Sequence, residues 1–134
     1  VKQLFALPMI LLLLALSGIH CHRMSIQPPP SVLKGKLVVN GPCGFYAVEV
    51  ISGNIDSTKI QKTWEYLSGK TDSVYRNVFR VSDLCVFGGY GLSKNDTFSF
   101  ELTDSVIVQD CMICQIAWPG GLNVMNTVVH VRRQ

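Results

Sequence analysis

Four cysteines, Cys43, Cys85, Cys111 and Cys114, constrain this chain more than any other feature. A fifth, Cys21, closes an N-terminal leader in which Lys2 precedes an apolar run from Leu4 to Leu16, broken only by Pro8. A basic start, an apolar stretch too short to span a membrane and a zone of small residues are the pattern of a cleaved secretory signal. The signal is placed at residues 1–21, with cleavage after Ser17 or after Cys21. An even set of thiols in an exported chain predicts a disulfide framework with three possible connectivities. Cys111 and Cys114 are expected to take different, distant partners, because two cysteines so close on an extended backbone are poorly placed to bond to each other. In a domain this small, cross-links of about 2–4 kcal/mol each matter.

The stretch 85–114 opens on one cysteine and closes on a Cys-x-x-Cys pair. Inside it, Phe98, Phe100 and Leu102 point one way if extended, while Thr97, Ser99 and Glu101 point the other. That is a strand with one buried face. Upstream, residues 36–39 and 45–51 are apolar runs on either side of Asn40-Gly41-Pro42-Cys43-Gly44, and read as a hairpin. In 58–67, Ile60, Trp64 and Leu67 sit at helical spacing behind Asp56 or Ser57 as an N-cap. This predicts a short helical turn running into a strand at 64–67. Further strands are expected at 75–81, at 112–118 and within 122–132. Pro28 to Pro30 favour polyproline II, so 22–33 reads as an arm and 34–134 as one domain. These segments predict an all-β fold: a small disulfide-linked antiparallel barrel or a sandwich.

The formal net charge of +3 is scattered, which argues against a nucleic-acid partner. His130 is the only histidine within the domain, so no Ser–His–Asp, Cys–His or histidine-ligand cluster can be assembled. Cys111 and Cys114 lack both a helix start that would activate a thiol and a second close pair that would complete a zinc site. The expectation is a protein that is not an enzyme, with no cofactor and no metal. Asn95-Asp96-Thr97 is a glycosylation sequon in loop-forming sequence.

Three segments together resemble the lipocalins, in particular the teleost α1-acid-glycoprotein-like and toxin-binding branch. They are Lys62-Thr-Trp64-Glu-Tyr-Leu-Ser-Gly-Lys-Thr-Asp72, then Cys85-Val-Phe with Asn95-Asp-Thr-Phe98, then Asp110-Cys111-Met-Ile-Cys114. Lys62 stands where the family has a glycine, and the interval from Trp64 to Cys85 is shortened as though a pair of strands were missing. The resemblance implies an eight-stranded barrel around a small hydrophobic ligand. The ligand-binding set it implies is Trp64, Tyr66, Phe98, Phe100 and Leu102. Trp64 would plug the closed end, and Phe98, Phe100 and Leu102 would face the cavity. The leading expectation is therefore a secreted, extracellular carrier of small hydrophobic molecules, not membrane-bound once the signal is removed. The alternative is a secreted β-sandwich that recognises an extracellular protein partner through loops such as 88–94 around a solid core. A small secreted hydrolase is a third reading, resting only on carboxylates that the sequence does not place.

Overall fold

The computed structural model describes residues 31–67, 72–112, 114 and 120–134. The leader with Cys21, most of the proline-rich arm and most of the strand expected at 112–118 lie outside them. The described residues form six strands, β1 (Leu33–Asn40), β2 (Tyr46–Ser52), β3 (Gln61–Leu67), β4 (Asp72–Val81), β5 (Thr97–Thr103) and β6 (Met125–Arg133), with one short helix, Leu84–Gly89. The all-β expectation stands. β1 starts at Leu33, the last residue of the expected arm, because Leu33 is itself buried in the core.

Local chemistry explains the elements. In β1, Leu33, Gly35 and Leu37 face inward while Lys34 and Lys36 are partly exposed, the alternation of a half-buried strand. The β1–β2 connection is a single tight turn at Pro42–Gly44, in which Cys43 and Gly44 adopt φ of 59° and 77°. Asp56 accepts the Thr58 amide at 2.8 Å and caps a helical turn at Ser57–Lys59, which leads directly into β3.

The strand order is β2-β1-β5-β6-β4-β3, and β4 also pairs with β2. Following the pairings, β1, β2, β4, β6 and β5 form a ring, and β3 hangs on β4 as the outer arm of a hairpin. Around the ring β5 lies beside β1, which is followed by β2 and β4. That is the Greek-key order, in which the fourth strand returns to the first. The architecture is a small, partly open Greek-key barrel, the class to which OB-folds belong. Its two seams are narrow. β2 meets β4 through Ala47–Arg80, Val48–Phe79 and Glu49–Val78, and β4 meets β6 through Arg80–Met125 and Val81–Asn126.

Three expectations are corrected here. The sheet is mixed rather than antiparallel, because β4 and β6 run parallel. Alternation of apolar residues reports which face is buried and carries no strand direction. The described strands do not divide into the two sheets of a sandwich, since all six belong to one sheet. The described strands also differ in number and order from the consecutive eight-stranded barrel that the resemblance implied.

The core has two parts. Leu33, Leu37, Val48, Phe79, Val81, Phe87, Phe98, Phe100 and Val128 fill the ring, and Val38, Val39, Phe45, Ala47, Trp64, Val78 and Leu122 pack beneath the β3–β4 hairpin. The ring interior is aromatic and dense: Phe100 lies 5.5 Å from Phe98 and 5.8 Å from Phe79 between ring centroids, and Phe87 lies 5.9 Å from Phe98. Gly35 is required by this packing. A Cβ there would stand 2.7 Å from the Phe100 ring and 2.8 Å from Val48.

Candidate functional site

The connection between β5 and β6 is where the molecule departs most from regular structure. It leaves β5 at Thr103, and Asp104 is held by the Lys59 ammonium at 2.5 Å. Further along, the Gln109 side chain bridges back to the end of β4. Its amide nitrogen donates to the Ser82 carbonyl at 2.8 Å, and its oxygen accepts the Cys85 amide at 3.1 Å. The helix Leu84–Gly89 therefore has one of its free first-turn N–H groups satisfied by a side chain from 24 residues away.

Two disulfides then fix the same connection. Cys111 bonds Cys85 in the helix, with Cα atoms 5.7 Å apart, and Cys114 bonds Cys43 in the β1–β2 turn, with Cα atoms 5.4 Å apart. Cys111 and Cys114 thus pair with different, distant partners, and this choice among the three connectivities was not readable from the sequence. Past the disulfides, the Trp64 indole donates to the Gly120 carbonyl, and Leu122 is buried under the hairpin. The connection is anchored at Asp104, Gln109, Cys111, Cys114, Gly120 and Leu122.

Between the anchors it turns apolar side chains to solvent. Val106 is 93% exposed, Val108 84% and Met112 96%. Ile107 and Gln109 are half-buried, so exposure alternates over residues 106–110. Three β-branched or long apolar side chains left in water on a tethered segment are unlike a scattered surface leucine.

The residues expected from the sequence fall in two groups. Phe98 and Phe100 are buried in the ring, with Leu102 partly buried against them. Trp64 is buried and Tyr66 half-buried in the second cluster, 5.1 Å apart between centroids. The five are thus split between two packed clusters. Asn95 is exposed in a turn with φ of 77°, its backbone N–H donating to the Leu37 carbonyl at 2.7 Å. Of the expected contact loop 88–94, Gly88 and Gly89 belong to the helix and Leu92 is buried.

Sequence reasoning missed Val106, Val108 and Gln109, and it missed the helix. Ser82-Asp83 is N-cap chemistry and could have signalled the helix, but Gly88-Gly89 obscured it. Asp83 is unusual in its own right. Its carboxylate is buried and makes no side-chain cap; one oxygen accepts the Val128 amide of β6 at 3.1 Å, and the other has no partner among the described residues. Burial pushes this carboxyl above its ordinary value, with the Val128 amide pulling the other way.

No family model matches this chain, and no curated protein or solved structure matches it either. Among the described residues no helix is long and apolar enough to cross a membrane, and no group of three His, Cys, Asp or Glu side chains is placed to hold a metal ion.

Proposed function

We propose that the domain acts outside the cell as a protein-recognition module, with the β5–β6 connection as its contact surface. The observation that carries the reading is the combination of anchoring and exposure in one segment. Two disulfides and the Gln109 bridge hold the connection, while Val106, Val108 and Met112 stand in water. A pre-ordered loop loses little conformational freedom on binding, and apolar groups already exposed gain from being covered. Secretion fits the two disulfides and the leader at 1–21.

The small-molecule carrier is the less favoured reading. It needs an open interior, and the rings of Phe79, Phe87, Phe98 and Phe100 stand in mutual contact there.

The test is a binding screen of the secreted protein against an array of cell-surface and secreted ectodomains, beside a variant carrying Val106→Ser, Val108→Ser and Met112→Ser. The expected result is an ectodomain bound by the parent and lost by the variant at unchanged melting temperature. Ectodomain binding that ignores all three substitutions rejects this surface. Stoichiometric binding of an environment-sensitive hydrophobic dye to the folded domain would return the carrier to the front.

A further inference from the structure

Asp83 is the one buried carboxylate among the described residues, and it lies where three elements meet. Its side chain accepts the Val128 amide of β6 at 3.1 Å, and its own carbonyl accepts the Phe87 amide at 2.9 Å to start the helix. The Gln109 side chain straddles it, bonded to the Ser82 carbonyl on one side and to the Cys85 amide on the other. The β5–β6 connection is thus seated on the chain at Asp83. Oδ2 of this carboxylate is buried without a hydrogen-bond partner among the described residues, and Val81, Phe87 and Val128 around it are fully buried too.

Among the described residues no cation is turned toward Asp83. On β4 the Arg80 guanidinium goes to the Met125 sulfur. On β6, His130 pairs with Glu101 of β5 at 3.1 Å, Arg132 is exposed and Arg133 pairs with Asp96. On the connection, Asp104 is held by Lys59 and Asp110 is exposed. The helix carries no acidic or basic side chain; its Cys85 is in a disulfide, and Tyr46 and Tyr90 pack on Phe87.

A neutral Asp83 fits this site, whereas a charged one leaves Oδ2 an unsolvated anion and must admit water. The least costly way in is the connection. At 106–110 its main chain makes no hydrogen bond among the described residues, so lifting it costs the two Gln109 bonds and the partial burial of Ile107. Parting β4 from β6 instead would break the Arg80–Val124 and Ser82–Asn126 main-chain bonds and the Ser82–Thr127 hydroxyl bond. The Lys59–Asp104 pair and the Cys85–Cys111 disulfide hold the two ends of the moving piece.

We propose that Asp83 is a proton-operated latch on the contact surface: neutral, it keeps the Gln109 bridge closed and residues 105–110 ordered, and ionised, it opens the bridge and frees them. Its use rests on the recognition reading, because an ordered surface binds at lower entropic cost, so that recognition is tighter in acid than at neutral pH. Closed, the carboxyl is held above its ordinary value by burial; open to water, it returns to that value. Opening is therefore rarest below the ordinary carboxyl range. It grows by up to about tenfold per pH unit as pH climbs toward the raised value, and is level beyond it.

Hydrogen exchange of the full secreted chain, corrected for intrinsic rates from about pH 4 to about pH 8, tests the latch. The Cys85 amide reports the bridge, and the Leu37 amide, bonded to the Asp96 carbonyl at 3.0 Å, reports global unfolding. Opening at Cys85 is expected to rise with pH, to stay more frequent than at Leu37, and to level off where the Asp83 carboxyl carbon titrates by NMR. Asp83→Asn, which cannot ionise, should give a flat profile at Cys85. A flat profile in the parent, a slope retained by Asp83→Asn, a levelling point apart from the carboxyl titration, or Cys85 opening only together with Leu37 overturns the latch. The comparison within the parent needs no variant. The recognition reading fails separately: ectodomain binding indifferent to Val106, Val108 and Met112 defeats it, while exchange still measures the latch. Binding that depends on those residues, yet does not weaken in the parent from about pH 5 to about pH 7.5 or weakens equally in Asp83→Asn, defeats the latch and leaves recognition in place.

Discussion

Replacing Phe100 with alanine separates a filled barrel from a hollow one. The ring is fully buried, packs on Phe98 and Phe79, and its edge lies where a Cβ on Gly35 would be 2.7 Å away. Truncation removes the transfer energy of a buried phenyl and leaves a void that the neighbouring strands cannot close, about 3–5 kcal/mol. Two aromatic contacts are lost within that figure, each worth roughly 0.5–1.5 kcal/mol. Against a total stability of about 5–15 kcal/mol, the variant is expected to be marginal, its melting temperature lower by about 12 °C or more. Gly35→Ala alone forces a methyl against both Phe100 and Val48 and should cost about 1–3 kcal/mol. In the double variant the space vacated by the ring admits the methyl, so the combined loss should fall short of the sum. The contact with Val48 at 2.8 Å keeps the relief partial. Urea unfolding of the four species, followed by tryptophan fluorescence, gives the cycle. Near-normal stability for Phe100→Ala, or strict additivity with Gly35→Ala, refutes the packed interior.

Asp83→Asn keeps an acceptor for the Val128 amide and removes the buried charge. Because the folded carboxyl is raised above its unfolded value, the parent should lose stability as pH climbs from the ordinary carboxyl range through the raised value. The variant should lack that slope and gain relative to the parent at neutral pH; an unchanged slope in urea titrations at pH 4 and pH 7 would exclude Asp83 as its source. Cys85→Ser with Cys111→Ser opens a link spanning 26 residues and should cost about 2–4 kcal/mol, since the Gln109 bridge survives only as a hydrogen-bonded pair; thermal unfolding beside the parent measures it. A glycan at Asn95 is expected on secretion from a eukaryotic host, because the side chain is exposed in the turn before β5. Glycosidase treatment that leaves electrophoretic mobility unchanged would count against it.

How much of this was legible depended on whether local chemistry or long-range pairing decided the outcome. The β1–β2 hairpin, the Asp56 cap, the inward set Phe98, Phe100 and Leu102, and the separate pairing of Cys111 and Cys114 all follow from neighbouring residues. Strand direction does not, which is why the parallel pairing of Arg80 and Val81 with Met125 and Asn126 went unread. A similar blindness affected residues 104–112. Alternation at 106–110 looks like that of any half-buried strand, yet among the described residues the segment joins no ladder. Trp64 and Tyr66 were expected to share one ligand-binding set with Phe98, Phe100 and Leu102. Only the fold reveals that they cover a cluster separate from the one containing Phe98 and Phe100.

The place of β6 in the ring has a consequence for the order of folding. It follows the other described strands in sequence, yet it lies between β5 and β4, both of which precede it. During synthesis, β1, β2 and the β3–β4 hairpin can pair as they emerge, but β5 gains only β1 as a neighbour until residues 125–133 arrive. Both Val81 and Leu102 wait with exposed edges, because their partners Asn126 and Val128 are made later. Such closure by distant segments is slow compared with hairpin formation, and the interval leaves unpaired strand edges in solution. Nascent chains stalled before residue 125 should therefore be readily degraded and prone to associate, and protection should appear only when β6 is released.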